Sequence, residues 1–586
     1  MALLLYRLVF PQNFFNVCKT KLSIQPIVQV KRRQHRLICS GAKTADSPSA
    51  TSKPTMWPRG FVKLLDDNFP TNLKEKMREL EKKVEALNID FENGSLSELE
   101  VLEHVDDIEK LGLGYRFQNH IKRALDTITS RHNQINGGLH EASLRFRILR
   151  QHGYNVSQDF LKRFKDSHGG FIGSIQTDVK GLLSLYEASH LAFTEESDLH
   201  EAKLFATEHL MKLKGQEIDA QLVEQINQAL EIPLYHRMLR LQARFSIDAY
   251  KKQQDANPLL LELATLDFNM VQSTLKSELK ELLKWWNFVG PSHKLDKVRD
   301  PLVECFFWTV GVVFEPQYHT CRVWLAKVCT LITVLDDIFD VYGTVDELEY
   351  FKDAVNRWDV NAMEQMPVHL QLGFAALHDT MTNMSSNTSI GQREDILPIL
   401  VKVWGELFEA FIVEAKWSHE KHIPTLDEYL DNGWRSISGE VILTHGYFLT
   451  NQQINKHDIQ ALDKYHHLMK CSSMLVRLYN DIAISSSEIE SDNSINAISC
   501  YMHEKGVCEN EAREYMATLI DEAWRKLIKE YVACSQELPN PFIDMAINLA
   551  RISCCAYQFG DGHGTHDARA IDRVLSILIK PIAIRD

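Results

Sequence analysis

No Cys-x-x-Cys pair and no regular spacing links the eleven cysteines, so neither a zinc site nor a disulfide framework is indicated. The usage is that of reduced, mostly buried thiols in an intracellular compartment. Glycine and proline are sparse, 26 and 17 in 586 residues, and alternating strand-like runs bounded by turn residues are hard to find, which argues against a β-rich fold. No repeat of fixed period stands out, which argues against a solenoid. Long apolar runs are missing too, and residues 1–10 are too short for a membrane span and are broken by Arg7. The body also lacks positive charge. Residues 1–50 carry eight basic residues against Asp46, a net +7, which leaves −21 on the rest of a chain whose total is −14. An acidic body argues against a nucleic-acid partner.

What is present is helix. From Thr71 onward apolar residues recur at three- and four-residue spacing, as at Leu99, Leu102, Val105, Ile108 and Leu111, closed by Gly112 and Gly114. The class is all-α. Asn257-Pro258 follows a charged helix and marks a place for one domain to hand over to the next. The expected division is 57–260 and 261–586, two helical domains. Ahead of them, the chain has no acid through Cys39 and carries Arg7, Lys19, Lys21, Lys31, Arg32, Arg33 and Arg36, the composition of an organelle transit peptide, with a secretory signal as the alternative. Residues 1–56 are therefore expected to be a targeting segment and its processed junction.

One stretch organises the second domain, Leu331-Ile-Thr-Val-Leu-Asp336-Asp337-Ile-Phe-Asp340-Val-Tyr-Gly343-Thr344. Thr344 with Glu347 predicts a capping box that opens a new helix, so the three aspartates fall in the last turns of the preceding one. The carboxyl end of a helix is partially negative, and three carboxylates there call for a cation. Asp336 and Asp340 lie one turn apart on one face. All-oxygen ligands favour magnesium or manganese, which combine protein carboxylates with substrate phosphates. In a second stretch, Arg477-Leu-Tyr-Asn480-Asp481-Ile-Ala-Ile484-Ser485-Ser-Ser-Glu488, the residues Arg477, Asn480, Ile484 and Glu488 follow 3-, 4- and 4-residue spacing and are expected to line one face of a single helix. Asn480 and Glu488 offer oxygen ligands, and Arg477 offers a planar anion-binding fork. A polar helix end running into a serine loop is the simpler reading of this stretch taken alone.

Together the two stretches resemble the class I plant terpene synthases, in particular their monoterpene-forming branch. The resemblance runs from about Trp57 to the carboxyl terminus. It also rests on Leu111-Gly-Leu-Gly-Tyr, Arg145-Phe-Arg-Ile-Leu-Arg-Gln-His-Gly, Trp285-Trp286, Val303-Glu-Cys-Phe-Phe-Trp308, Asn356-Arg-Trp-Asp and Gly560-Asp-Gly-His. It implies an active cavity within the carboxyl-terminal helical domain, three magnesium or manganese ions, an isoprenyl diphosphate substrate and a plastid stromal address. Asp336 and Asp340 would ligate metal with Asp337 supporting. Asn480 and Glu488 would hold the remaining ion, and Arg299 and Arg477 the diphosphate. Trp308 and Tyr557 match aromatics of the cavity.

Four departures from the family pattern bear on the product. Residues 46–56 contain no arginine, so the tandem-arginine motif associated with cyclisation is missing, which favours acyclic products. Arg299-Asp-Pro301 loses one expected arginine, leaving Lys294 or Lys297 as electrostatic substitutes. Ile484 stands where Ser or Thr supplies a ligand, and Asn496 where a lysine is common. The expected activity is ionisation of geranyl diphosphate to an acyclic monoterpene, linalool favoured over geraniol, myrcene or ocimene. The alternatives are a cyclic monoterpene or sesquiterpene synthase, and an impaired helical isoprenoid-binding protein. A chain-elongating prenyl synthase would need a second DDxxD, and Asn480-Asp-Ile-Ala-Ile stands in its place.

Overall fold

The computed structural model describes residues 57–584 apart from 58, 93–96, 131–136, 215–218, 291–299, 389–394, 451–458, 461, 463–464, 485–494, 536–540 and 561–566. The expected targeting segment, Lys294, Lys297, Arg299, Ser485 and Glu488 lie outside the described residues. Among those described, the only β-pairing is an isolated bridge between Lys165 and Phe171. The rest of the regular structure is helical.

The amino-terminal half comprises α1 (Arg59–Lys63), α2 (Thr71–Glu92), α3 (Glu98–Lys110), α4 (Gln118–Ser130), α5 (Leu139–Gln151), α6 (Val179–Ser189), α7 (Ser197–Lys214), α8 (Ala220–Glu231) and α9 (Leu239–Tyr250). The expected stripe of α3 is its core face, since Leu102, Val105 and Ile108 are buried. Gly112 follows at φ 76°, and a Cβ there would stand 2.7 Å from Ala243 Cβ, so this turn needs glycine both for its conformation and for close packing.

The carboxyl-terminal half comprises α10 (Pro258–Val289), α11 (Leu302–Val312), α12 (His319–Tyr342), α13 (Val345–Arg357), α14 (Val368–Thr388), α15 (Leu397–Glu420), α16 (Leu426–Ser436), α17 (Gly439–Thr450), α18 (His466–Ile482), α19 (Ala497–Lys505), α20 (Glu509–Ser535), α21 (Pro541–Ala556) and α22 (Ala568–Leu578). The polar sequence of residues 383–394 predicts a loop, but helix α14 runs through Thr388, so residues 383–388 are helical.

Helix α10 is the seam. Asn257 caps it, its side chain accepting from the N–H groups of Leu259 and Leu260, and Pro258 occupies the first turn where its missing N–H is harmless. Its 32 residues extend about 48 Å at about 1.5 Å each, long enough to pack against both halves. Near its start the buried Asp267 accepts from Arg116 Nε at 2.7 Å and from Tyr115. Further along, the buried Glu278 takes both arms of Arg322, at 2.6 and 2.5 Å, while Arg322 also donates to the carbonyls of Val313 and Glu315. Each buried charge is therefore paired and hydrogen-bonded, the condition for burying it at all. The halves also meet away from α10. Lys203 pairs with Asp521 at 2.5 Å, Arg551 donates to the Tyr235 carbonyl at 2.7 Å, and the His236 ring stacks on Trp524 at 3.9 Å.

Candidate active site

The last turns of α12 carry Asp336, Asp337 and Asp340, the first two half-buried and the third exposed. The residues between them hold the helix in the core. Ile338 is fully buried, and Phe339 stacks on Phe408 at 5.2 Å and meets Phe351 and Phe411 at 5.4 and 5.7 Å. Gly373 lets α14 approach the same turn, for a Cβ there would stand 2.8 Å from Leu335 and 3.2 Å from Ile338. Beyond Gly343 the expected capping box is present, Thr344 and Glu347 exchanging side-chain to backbone bonds at 3.4 and 2.9 Å. Packing and capping thus force α12 to end where its carboxylates emerge.

Arg477 lies near the end of α18 within a network that the sequence reading missed. Its guanidinium pairs with the fully buried Asp481 at 2.8 Å and donates to Asn480 Oδ1. Asp481 also accepts from the Ala497 N–H at 3.0 Å and the Tyr429 hydroxyl at 3.2 Å. Burial alone would disfavour the Arg477 charge, but Asp481, Tyr429 and Glu414 together push its pKa up, so it stays cationic. Burial raises the Glu414 carboxyl. Arg477 and the Ser436 hydroxyl, 2.5 Å away, pull it down, and Asp481 and Asp340 raise it again. Asp340 and Arg477 therefore act on one buried carboxylate, which ties the end of α12 to the end of α18. The Arg477 Nε is buried and has no hydrogen-bond partner among the described residues. Asp481 stands four residues after Arg477 in the sequence and was the available signal; Tyr429 and Glu414 gave none.

The expected helix through residue 488 is corrected. Helix α18 stops at Ile482, and Ile484 lies beyond its end. The cause is Arg513, whose guanidinium collects the carbonyls of Ile482 at 2.8 Å and Ile484 at 2.6 Å, so that those groups need no further helical turn. Asn496 is the N-cap of α19, its side chain accepting from the Ser499 N–H, and Pro301 precedes the first turn of α11, which leaves Asp300 to accept from the Trp286 indole at 2.7 Å.

Trp308 on α11 and Tyr557 in the turn after α21 meet edge to face at 5.4 Å, each about 6% exposed. Tyr557 is near enough to Arg477 to contribute to its shift. Of the sequence-derived set, Asp340, Arg477, Asn480, Tyr557 and Trp308 are thus linked by contacts or electrostatics, with Asp336 and Asp337 on the same helix end as Asp340. Among the described residues no three His, Cys, Asp or Glu side chains converge tightly enough to enclose an ion. The all-oxygen donors on two helix ends fit an ion that shares its coordination with phosphates and water.

Two family profiles match, "Terpene synthase, N-terminal domain" over residues 56–230 and "Terpene synthase family, metal binding domain" over residues 289–526. A curated relative, the chloroplastic (E)-beta-ocimene synthase of Matricaria chamomilla var. recutita, is 51% identical over 99% of both chains. The chain belongs to the terpene synthase family. Its two-domain helical fold is shared with solved members. Isoprene synthase of grey poplar, in complex with three Mg2+ ions and dimethylallyl-S-thiolodiphosphate, superposes with a TM-score of 0.82 at 44% identity, covering 90% of this chain and 99% of that one. A limonene synthase with 2-fluorolinalyl diphosphate gives 0.86 at 37% identity, covering 91% and 99%. This terpene synthase has no helix among its described residues long and apolar enough to cross a membrane.

Proposed function

We propose that this terpene synthase ionises geranyl diphosphate in the plastid and releases mainly acyclic monoterpenes, its chemistry residing in residues 261–586 behind an amino-terminal helical domain of residues 57–260. The reading rests on the charges that Asp340 and Arg477 both exert on Glu414, which supports a single site between the ends of α12 and α18. The magnesium ions in the poplar relative and the matched metal-binding domain support Mg2+, with Mn2+ as a substitute. When bound, the metal offsets negative charge on the departing diphosphate. Asp336 and Asp340 would hold it with Asp337 supporting, and Asn480 and Glu488 would hold the remaining ion.

Arg477 is fixed by Asp481 before substrate arrives, so its charge is aimed without reorganisation, and its open Nε can donate to a diphosphate oxygen. Arg299 would add a second cationic contact. Once the carbon–oxygen bond breaks, the faces of Trp308 and Tyr557 stabilise the allylic cation and keep water from it. Loss of a proton gives ocimene or myrcene, and capture of water gives linalool or geraniol. The ocimene-forming relative supports proton loss, and on that ground we favour ocimene over linalool. The absence of arginine in residues 46–56 supports acyclic release.

Protein beginning at Trp57, incubated with geranyl diphosphate and Mg2+, should yield acyclic olefins by chiral gas chromatography–mass spectrometry. Mainly linalool would overturn the choice of proton loss, and mainly cyclic products would overturn acyclic release. Turnover of farnesyl diphosphate alone would make it a sesquiterpene synthase, and binding without turnover an isoprenoid-binding protein.

A further inference from the structure

Helices α10, α12 and α14 enclose a cleft of about 440 Å³ lined by Trp285, Phe288, Val323, Trp324, Lys327 and Thr380. It is separate from the site above. Lys327 precedes Asp336 by nine residues, and at about 100° per residue that places it half a turn round α12. The cleft therefore opens on the opposite face of the helix that presents the aspartates. Its volume is of the size that takes a small organic ligand.

The chemistry of the lining is particular. The Lys327 ammonium sits 3.9 Å over the Trp324 ring and 5.7 Å from the Trp285 ring, with no carboxylate in ion-pair contact among the described residues. The Thr380 hydroxyl is buried, its residue 2% exposed, and has no hydrogen-bond partner there. Phe288 is 91% exposed at the edge. An ammonium held by ring faces and by the field of Glu281, beside a hydroxyl with no hydrogen-bond partner among the described residues, suits one anionic head and an apolar body. The exposed acids Glu281 and Asp379 also line the cleft. They repel a second negative charge, so a diphosphate suits the cleft poorly.

We infer that this cleft is a second ligand site, for a small amphipathic monoanion such as an isoprenoid or aromatic carboxylate. The inference does not depend on the reaction proposed above. It is tested on the full chain by titrating 1-anilinonaphthalene-8-sulfonate, with geranate as competitor. One bound probe displaced by geranate is expected. Lys327→Met should weaken the probe about tenfold, the loss of one hydrogen bond to a charged group. Lys327→Arg should restore it, and Thr380→Val should weaken it less, all with turnover of geranyl diphosphate unchanged. Unchanged affinity in Lys327→Met and Thr380→Val would overturn the inference. So would displacement of the probe by geranyl diphosphate with Mg2+, which would put it in the catalytic cavity, or a dimer that buries Phe288 and excludes the probe.

Discussion

Asp481→Asn keeps the shape of the side chain and removes its charge, which isolates what the acid does for Arg477. At 2.8 Å and an effective dielectric near 20 the attraction is roughly 6 kcal/mol before desolvation is subtracted. Removing one partner of a buried pair costs about 3–5 kcal/mol because the other charge stays behind uncompensated. The lower end applies here. The Arg477 side chain keeps 13% exposure, and an asparagine oxygen at the Oδ2 position can still accept from the Ala497 N–H, its amide N–H then facing the Tyr429 hydroxyl, which can turn to accept. We expect a loss of about 3 kcal/mol, read from urea unfolding of the carboxyl-terminal half. Turnover should fall further than stability alone predicts, by at least about tenfold in kcat, since each 1.36 kcal/mol of misplaced electrostatics is worth that factor. Tyr429→Phe removes only the 3.2 Å bond and should cost about 1 kcal/mol. If Asp481→Asn lost less than about 1 kcal/mol and kept its kcat, Asp481 would not be the anchor of Arg477 and the preorganisation argument would fail.

Asp340 is exposed, so Asp340→Asn should change stability by no more than about 0.5 kcal/mol while abolishing Mg2+-dependent turnover; retained turnover at saturating Mg2+ would remove it from the metal site. Arg513→Ala releases the carbonyls of Ile482 and Ile484 and should raise the Mg2+ concentration needed for half-maximal rate with little change in saturated kcat. An unmoved Mg2+ curve would show that this cap does not position the second stretch. His445 is buried with its pKa lowered by burial to about 4; its Nδ1 donates to the Val441 carbonyl and its Nε2 accepts from Trp404. The unfolded chain takes up its proton first, so the stability His445 contributes is complete above about pH 6.5 and is lost as pH falls toward 4, roughly 3 kcal/mol in all. His445→Gln should flatten the pH dependence of stability over that window, and an unchanged slope would assign the acid sensitivity elsewhere.

What could be read from the sequence was local. Thr344 and Glu347 are three residues apart, so their capping box, and with it the placement of the aspartates, follows from neighbouring residues alone. The core stripe of α3 is of the same kind. The end of α18 is different. Periodicity through Ile484 is compatible with more helix, and what stops it is Arg513, about thirty residues away in sequence. Glu414 and Tyr429 are more remote still from Arg477 in sequence, so no spacing rule connects them. The cleft beside Lys327 is assembled from three helices and had no motif. A sequence shows the residues that must sit close for local reasons; which distant groups share a charge is settled by packing.

That shared charge has a consequence for how substrate enters. Asp481 and Glu414 act on one arginine, Arg477, and burial, Asp481 and Asp340 all raise Glu414. A diphosphate arriving alone would meet one buried cation within a field dominated by carboxylates, and Asp336 and Asp337 add to the repulsion. On the proposed site, the aspartates at the end of α12 would hold a divalent cation whose charge would offset that field and the unfavourable helix end, leaving Arg477 to act on the phosphate. The diphosphate is thus expected to bind with its metal and not ahead of it. Calorimetry with inorganic diphosphate should show weak binding in the presence of a chelator and binding at least about tenfold tighter with Mg2+, a difference of about 1.4 kcal/mol or more. Equal affinity in both conditions would mean that Arg477 holds the anion unaided and that the carboxylates exert no net repulsion on it.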